Sequence, residues 1–374
     1  MLAKVIDVAR VIEERAPLSL AEKWDNPGLQ LGDPEAPAGD VVVGLDLGPE
    51  LLEPPVGMVV VHHPPIHKPL SAIRADRPGQ RHLLRAAALG VAVYAAHTNL
   101  DIAPGGVNDA LADGLGLVGA VPIEAGPGSE RLLKLVVFVP AGHEVAVREA
   151  MAEAGAGWIG RYSHCTFQAR GTGTFKPLEG TNPFLGTVGQ VETADEYRLE
   201  TILPERLTEA VVRAVLRVHP YEEVAYDLYP LANPPIPRGL GRIGDLASPA
   251  TPMELARRVR DRLGLPTGGV RVAGPGDAAD RPVRRVAVCG GSGADLAAAA
   301  IRAGAQALIT GDVGYHKAIE AVERGLVVID AGHEATEHYY LDRWAATIEA
   351  DLGARGFENR VTVRRRQGWL WSNV

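Results

Sequence analysis

Apolar residues in this chain follow two patterns, a helical spacing and short uninterrupted runs, and together they predict a layered α/β protein. Residues 3–15 place Val5, Val8, Ala9, Val11 and Ile12 on one helical face and predict a first helix. The segment Ala21–Gly32 (A-E-K-W-D-N-P-G-L-Q-L-G) is turn-rich. Three wholly apolar runs then end abruptly in polar loops: Val41–Val43 before Gly-Leu-Asp46, Met58–Val61 before His62, and Val91–Ala96 before His97. Such runs read as buried strands of a parallel sheet, with Arg81–Leu89 and Val107–Leu115 as helices between or after them.

The same grammar returns late in the chain. Arg285–Val288 precedes Cys-Gly-Gly-Ser-Gly, Ala307–Thr310 precedes Gly-Asp312, and Leu326–Ile329 precedes Asp330-Ala-Gly-His333. The middle differs. It reads as strand (132–139), helix (144–154), strand (165–169), strand (196–202), helix (204–218) and strand (224–231). That β-α-β-β-α-β order is the ferredoxin-like arrangement. The run Ala232–Gly241 is a Pro/Gly-rich exit linker. The expected organisation is two βα lobes, 1–128 and 238–374, with an α+β domain, 129–237, inserted between them.

Composition narrows the class. The chain has 374 residues and a formal net charge of −8, with 46% hydrophobic and 22% charged residues, as in soluble globular proteins. A pI near 5.8 excludes an extensive nucleic-acid surface. The two cysteines, Cys165 and Cys289, form no C-x-x-C pair, which argues against a thiolate zinc site and fits a reducing, cytoplasmic compartment. No run reaches the ~18 uninterrupted apolar residues of a membrane span. The first ten residues also carry charges where a signal peptide needs an apolar stretch.

The polar residues of interest follow directly on the apolar runs: His62 and His63, His97 and Asp101, Asp330 and His333. In open α/β sheets ligands bind beyond the carboxyl ends of strands, so these groups are candidates for one crevice. His333 and Glu337 are spaced i, i+4 and share one helical face. The donors are nitrogen and oxygen, which suits zinc, iron or manganese. Three histidines and two carboxylates exceed what one catalytic zinc takes and suit two ions.

Other residues carry weaker expectations. The Cys289–Gly293 loop reads either as an anion cradle or as a tight strand-to-helix turn. In G-D-V-G-Y-H, Asp312 has the spacing of a helix cap and His316 that of a first-turn residue facing the crevice. Asp46, His67, His338 and the Trp24-Asp25-Asn26 triplet are candidates to support ligands or touch substrate. His219-Pro-Tyr-Glu-Glu223 reads as the start of a strand, with packing or association as its role.

The set A-E-K-W-D-N-P-G-L-Q-L-G, H-H-P-P-I-H, A-A-H-T-N-L-D, C-G-G-S-G, T-G-D-V-G-Y-H-K-A and D-A-G-H-E-A-T-E resembles the Nif-three-like family, whose bacterial members are often labelled GTP cyclohydrolase 1 type 2 homologues. The inserted G-T-G-T-F, G-T-N-P-F-L-G and H-P-Y-E-E-V-A-Y resemble the extra domain of its longer members, similar in fold to PII and CutA proteins. The resemblance implies the Nif-three-like α/β fold and two divalent metal ions held by His62, His63, Asp101, His333 and Glu337. It also implies a ring-like homohexamer. His67 departs from the aromatic or apolar residue usual at its position.

Two functions follow as expectations. One is a metal-dependent hydrolase, with His97 and His316 as proton carriers and a small-molecule, nucleotide-like substrate, acting by purine-ring opening or on a phosphoester. The alternative is a non-catalytic metal-binding regulatory or metal-handling oligomer with a ligand-sensing inserted domain.

Overall fold

The computed structural model describes the chain apart from residues 125, 127, 128, 130, 161, 234–237 and 367–374. It divides into two compact units, one made of Met1–Gly128 with Pro237–Val374, the other of Ser129–Ile236. Residues 234–237 of the expected exit linker lie outside the described residues.

The first unit begins with α1 (Val5–Arg15), then β1 (Gly28–Leu31), β2 (Val41–Gly44), β3 (Met58–Val61), α2 (Pro78–Leu89) and β4 (Ala92–Ala95). A short α3 (Thr98–Ile102), α4 (Val107–Gly114) and β5 (Leu117–Val121) follow. Strands β2, β3 and β4 are parallel neighbours in register, Val41 with Met58 and Met58 with Ala92. Both faces of this block are covered: Val41, Val43, Met58 and Val60 pack under α1, while Val42, Val59 and Val61 pack with Leu51, Leu52 and Ala86. Burial on both faces is why these strands read as unbroken apolar runs.

The second unit runs β6 (Leu132–Pro140), α5 (Glu144–Glu153), β7 (Thr166–Phe175), β8 (Glu192–Pro204), α6 (Thr208–Val218) and β9 (Tyr226–Pro230). Its sheet order is β7-β8-β6-β9, with all pairs antiparallel. This is the ferredoxin-like topology the element order predicts. Leu135, Val137 and Val139 of β6 and Leu199 and Leu203 of β8 meet Val147 and Met151 of α5 and Val211 and Val215 of α6 in one core.

The chain then returns to the first unit through β10 (Arg242–Ala250), α7 (Pro252–Arg262), β11 (Arg271–Ala273), β12 (Val283–Val288), α8 (Ala297–Arg302), β13 (Ala307–Thr310), α9 (Tyr315–Glu323), β14 (Val327–Asp330), α10 (His333–Ala354) and β15 (Val361–Val363). Strands β12, β13 and β14 form a second parallel block. The lobes are not purely parallel, however. Strand β1 runs antiparallel on β4, and β5, β10 and β11 are antiparallel in the second sheet. Hydrogen-bonding edges left by a small parallel block are closed here by these antiparallel segments.

Helix α10 binds the two lobes of this unit together. It starts just beyond β14 of the second sheet, yet Tyr340, Leu341, Trp344, Ala345, Ile348 and Leu352 lie in the core of the first, with Val41, Met58 and Tyr94. Strand β15 then adds to β2. The first turn of α10 is therefore carried to the seam between the lobes. Among the described residues no helix is long and apolar enough to cross a membrane.

Candidate metal centre

The carboxyl ends of both parallel blocks open on one cluster of imidazoles and carboxylates. His62 and His63 follow β3, His97 follows β4, and Asp101 sits in α3. His333 and Glu337 occupy the first turns of α10. Two triads, His62/His63/His97 and His63/His333/Glu337, each bring their donor atoms within 4.8 Å of one another. Asp101 completes the group, its Oδ1 lying 3.5 Å from His62 Nε2.

Each ring is oriented from behind. His62 Nδ1 meets the Ala96 carbonyl at 2.8 Å, His63 Nδ1 the Asp46 carboxylate at 2.9 Å, His97 Nδ1 the Asp25 carboxylate at 2.7 Å, and His333 Nδ1 the Asp312 carboxylate at 2.8 Å. All of these partners accept, so Nδ1 donates to each and Nε2 is the ring atom turned inward. His63 Nε2 and His333 Nε2 then face each other at 3.3 Å. Glu337 stands between them, 3.1 Å from His63 Nε2 and 3.2 Å from His333 Nε2.

Several of the inward-facing atoms are left without aligned partners among the described residues. His62 Nε2, Asp101 Oδ1 and Glu337 Oε2 are buried with no aligned hydrogen-bond partner. Buried polar atoms are ordinarily paired, because an unpaired one costs about 1–3 kcal/mol. Protons fill part of the deficit. Burial disfavours the charged form of His63, but its contacts with Asp46 and Glu337 outweigh this and push it up to about 10. The Glu337 contact, against burial, pushes His333 up to about 9. Glu337 itself is driven well below the usual carboxylate range by the surrounding imidazoles, despite its burial. Burial lifts Asp101. A divalent ion bound by neutral Nε2 atoms and carboxylates would replace those protons and satisfy the unpaired atoms. The donor set fits a hard-to-borderline divalent metal.

The supporting residues are only partly those the sequence suggests. Asp46 and Asp25 orient His63 and His97. Asp312 does not cap a helix: Gly314 holds the N-cap of α9, while Asp312 adopts φ +53° and accepts from His333. Its loop is tied down by Asp330, which accepts from the Val313 and Gly332 amides and pairs with Arg271. His316 lies exposed in the first turn of α9, its ring contact being Tyr315, and it is in neither triad. His338 sits near Glu334, at 3.5 Å.

The Cys289–Gly293 loop is a tight turn whose amides are used internally. Gly290 N donates to Asn108, Gly291 N to Thr336, and Gly293 N to Thr310. Gly291, at φ +64°, lies where a Cβ would run into the Glu337 carboxylate. In the other unit, His219 is the C-cap of α6 and precedes the strand, which begins at Tyr226. Its Nε2 donates to the Phe138 carbonyl at 3.0 Å, and Tyr221 donates to Glu196 at 3.0 Å, so this motif fastens the turn onto the sheet.

Comparison with known proteins agrees with this architecture. The family model for Duf34/NIF3 (NGG1p interacting factor 3) matches residues 3–367. A Bacillus subtilis protein named GTP cyclohydrolase 1 type 2 homolog is 43% identical over 332 residues, covering 88% of this chain and 87% of the relative. A Mycobacterium tuberculosis protein of the same name is 38% identical over 357 residues, covering 95% and 93%. The crystal structure of a Bacillus cereus protein related to NIF3 superposes with a TM-score of 0.89 at 37% identity, covering 100% of both chains.

Proposed function

We propose that this chain, which belongs to the Duf34/NIF3 family, is a metal-dependent hydrolase whose centre takes two divalent ions. In this reading His62, His63, Asp101, His333 and Glu337 are the ligands. The observation that carries it is the set of imidazoles all fixed through Nδ1 with Nε2 turned onto unpaired buried carboxylate atoms. Two pairs meeting at His63, His62 with buried Asp101 and His333 with buried Glu337, support a pair of ions over a single one. Bound there, the ions would supply Lewis acidity and activate water at neutral pH.

The chain's own contribution is orientation and proton transfer. His97 belongs to the first triad, and its Nδ1 is held by Asp25, which leaves Nε2 as the ring atom free to exchange a proton with a substrate or water. His97 is thus the proton carrier in this reading, and His316 has no part in it. The names of the relatives point to a guanine nucleotide as the first substrate to test, with ring opening or phosphoester hydrolysis as the reaction. Homohexamer formation belongs to the same proposal and is read by analytical ultracentrifugation.

The test is metal content per chain on protein purified without added metal, with turnover of GTP assayed on the same sample. Near two ions with guanine-ring opening or phosphate release supports the hydrolase. Near two ions without turnover of GTP or simple phosphoesters favours a metal-binding regulatory role. No uptake of zinc, iron or manganese removes the metal centre.

A further inference from the structure

Trp24 has no part in the reading above, yet the chain holds it with care at the rim of the cluster. The residue is 57% exposed. The backbone on either side is fastened down. Asp25 accepts from His97 Nδ1 at 2.7 Å and from the Thr98 amide at 3.0 Å, and Glu22 N donates to Thr98 Oγ1 at 3.0 Å. Asn26 Nδ2 donates to the Ile66 carbonyl at 2.6 Å, and the Asn26 carbonyl accepts from Gln30 at 2.8 Å. One set of bonds ties the loop to the His97 turn, the other to the loop that carries His62, His63 and His67.

The ring itself stands edge-to-face with two imidazoles, His67 at 5.7 Å and 62°, and His97 at 5.9 Å and 75°. His97 in turn lies 5.2 Å from His62 and 5.7 Å from His63. A large aromatic gains most from burial, so leaving over half of one open on a rigid loop forfeits that gain unless something else covers it. A single imidazole separates the indole from the donors of the cluster. Anything lying flat on Trp24 is therefore brought against the cluster. An indole offers a π face and no positive charge, which selects a planar ring and gives nothing to a phosphate. His67 adds ring nitrogens at the same rim, able to meet heteroatoms on the edge of such a ring.

We propose that Trp24, flanked by His67, is the platform on which a planar heteroaromatic ring of the substrate stacks, so that the ring end of the substrate faces the metal centre. This rests on the reading of the cluster as a metal centre that acts on a substrate, and the test separates the two.

The experiment measures binding of guanosine, adenosine, uridine, pterin and inorganic tripolyphosphate to the full chain by equilibrium dialysis and tryptophan fluorescence. Wild type, Trp24→Ala and Trp24→Phe are compared, each with and without zinc, and metal per chain is determined throughout. At least one ring compound is expected to bind wild type and quench its fluorescence. Trp24→Ala should weaken that binding about 5- to 150-fold, the range of one lost base–aromatic stack. Trp24→Phe should restore most of it, with metal content and tripolyphosphate binding unchanged in both variants. Binding of none of the ring compounds overturns the proposal, as does equal binding by Trp24→Ala. Loss of metal by Trp24→Ala in step with loss of binding overturns it too, by making Trp24 a structural support. Trp24-dependent ring binding by a wild type that takes up no metal would uphold the platform and remove the reading it rests on.

Discussion

Replacing Asp25 by Asn tests how the His97 side of the cluster is built. The Asp25 side chain has no exposed surface, and its carboxylate accepts from His97 Nδ1, the Thr98 amide and hydroxyl, and the Asn26 amide. Burial alone would raise its pKa, but the bonds from His97 and Thr98 outweigh this and hold it at about 2, against 3.8 ordinarily. At about 1.4 kcal/mol per pKa unit, that depression makes ionised Asp25 worth on the order of 2 kcal/mol of stability at neutral pH. The sign follows from a folded-state value below the unfolded one. The contribution is complete above pH ~4 and is lost as pH falls through about 2. Asn removes the charge and turns an NH2 towards groups that are themselves donors. Metal-free D25N should therefore unfold at lower urea than wild type by about 2 kcal/mol at pH 7, with the difference closing as pH falls towards 2. Buried Trp344, in the core of the same unit, is a suitable fluorescence reporter. A deficit equally large at pH 7 and pH 2.5 would refute the reasoning, since it would reflect loop packing and not charge.

Other perturbations act on separate parts. Because His63 and His333 are held up to about 10 and about 9 in the metal-free chain, metal loading at pH 7 should release about two protons and tighten as pH rises towards 9. Calorimetry in buffers of different ionisation enthalpy reads this directly, and zero release would contradict it. Gly291→Ala should push Glu337 aside and strain a left-handed residue, costing about 1–2 kcal/mol and lowering metal per chain, as measured by thermal unfolding and plasma emission. Arg242 is buried, pairs with Asp109 and donates to the carbonyls of Gly239, Gly241 and Ile102. Arg242→Ala should destabilise the first unit by about 3–5 kcal/mol in urea unfolding, through the carboxylate and carbonyls left without a partner. Trp344→Ala removes a fully buried ring from the core that seats α10 and should cost about 3–5 kcal/mol, with metal content falling as α10 loosens.

The parallel blocks could be read from sequence because both their faces are buried, so each strand announces itself as an apolar run. The antiparallel strands beside them could not, and β1 shows why. Leu29 and Leu31 are two apart, which in a regular strand puts both on one face. A shift in register between them sends Leu29 to the core under α1 and Leu31 to the opposite one, so the segment looks like a turn. Strand β10 is hidden differently. Gly244, Asp245, Ser248 and Pro249 interrupt its pattern, and its first buried side chain is Arg242, whose carboxylate partner Asp109 lies far away in sequence. Asp312 likewise has the spacing of a helix cap. Only its left-handed backbone, fixed by the contacts of Asp330 with the loop, turns its carboxylate onto His333.

The imidazoles and carboxylates of the cluster were legible because strand ends of an open α/β sheet converge, and a polar residue placed there has a common destination. What sequence could not show is the economy of the second half of the site. His333 and Glu337 come from the lobe that contains β14, but their position is set by a helix whose far side is buried in the other lobe's core. Metal uptake should therefore respond to substitutions at Tyr340 or Ile348, buried in the core that seats α10, more than to exposed changes on α9 near His316. The candidate ligands His62 and His63 follow β3, which is held on both sides by its own sheet. A helix packed in the first core and begun beside the second sheet couples the proposed centre to that packing, since two of its five candidate ligands, His333 and Glu337, are carried on α10.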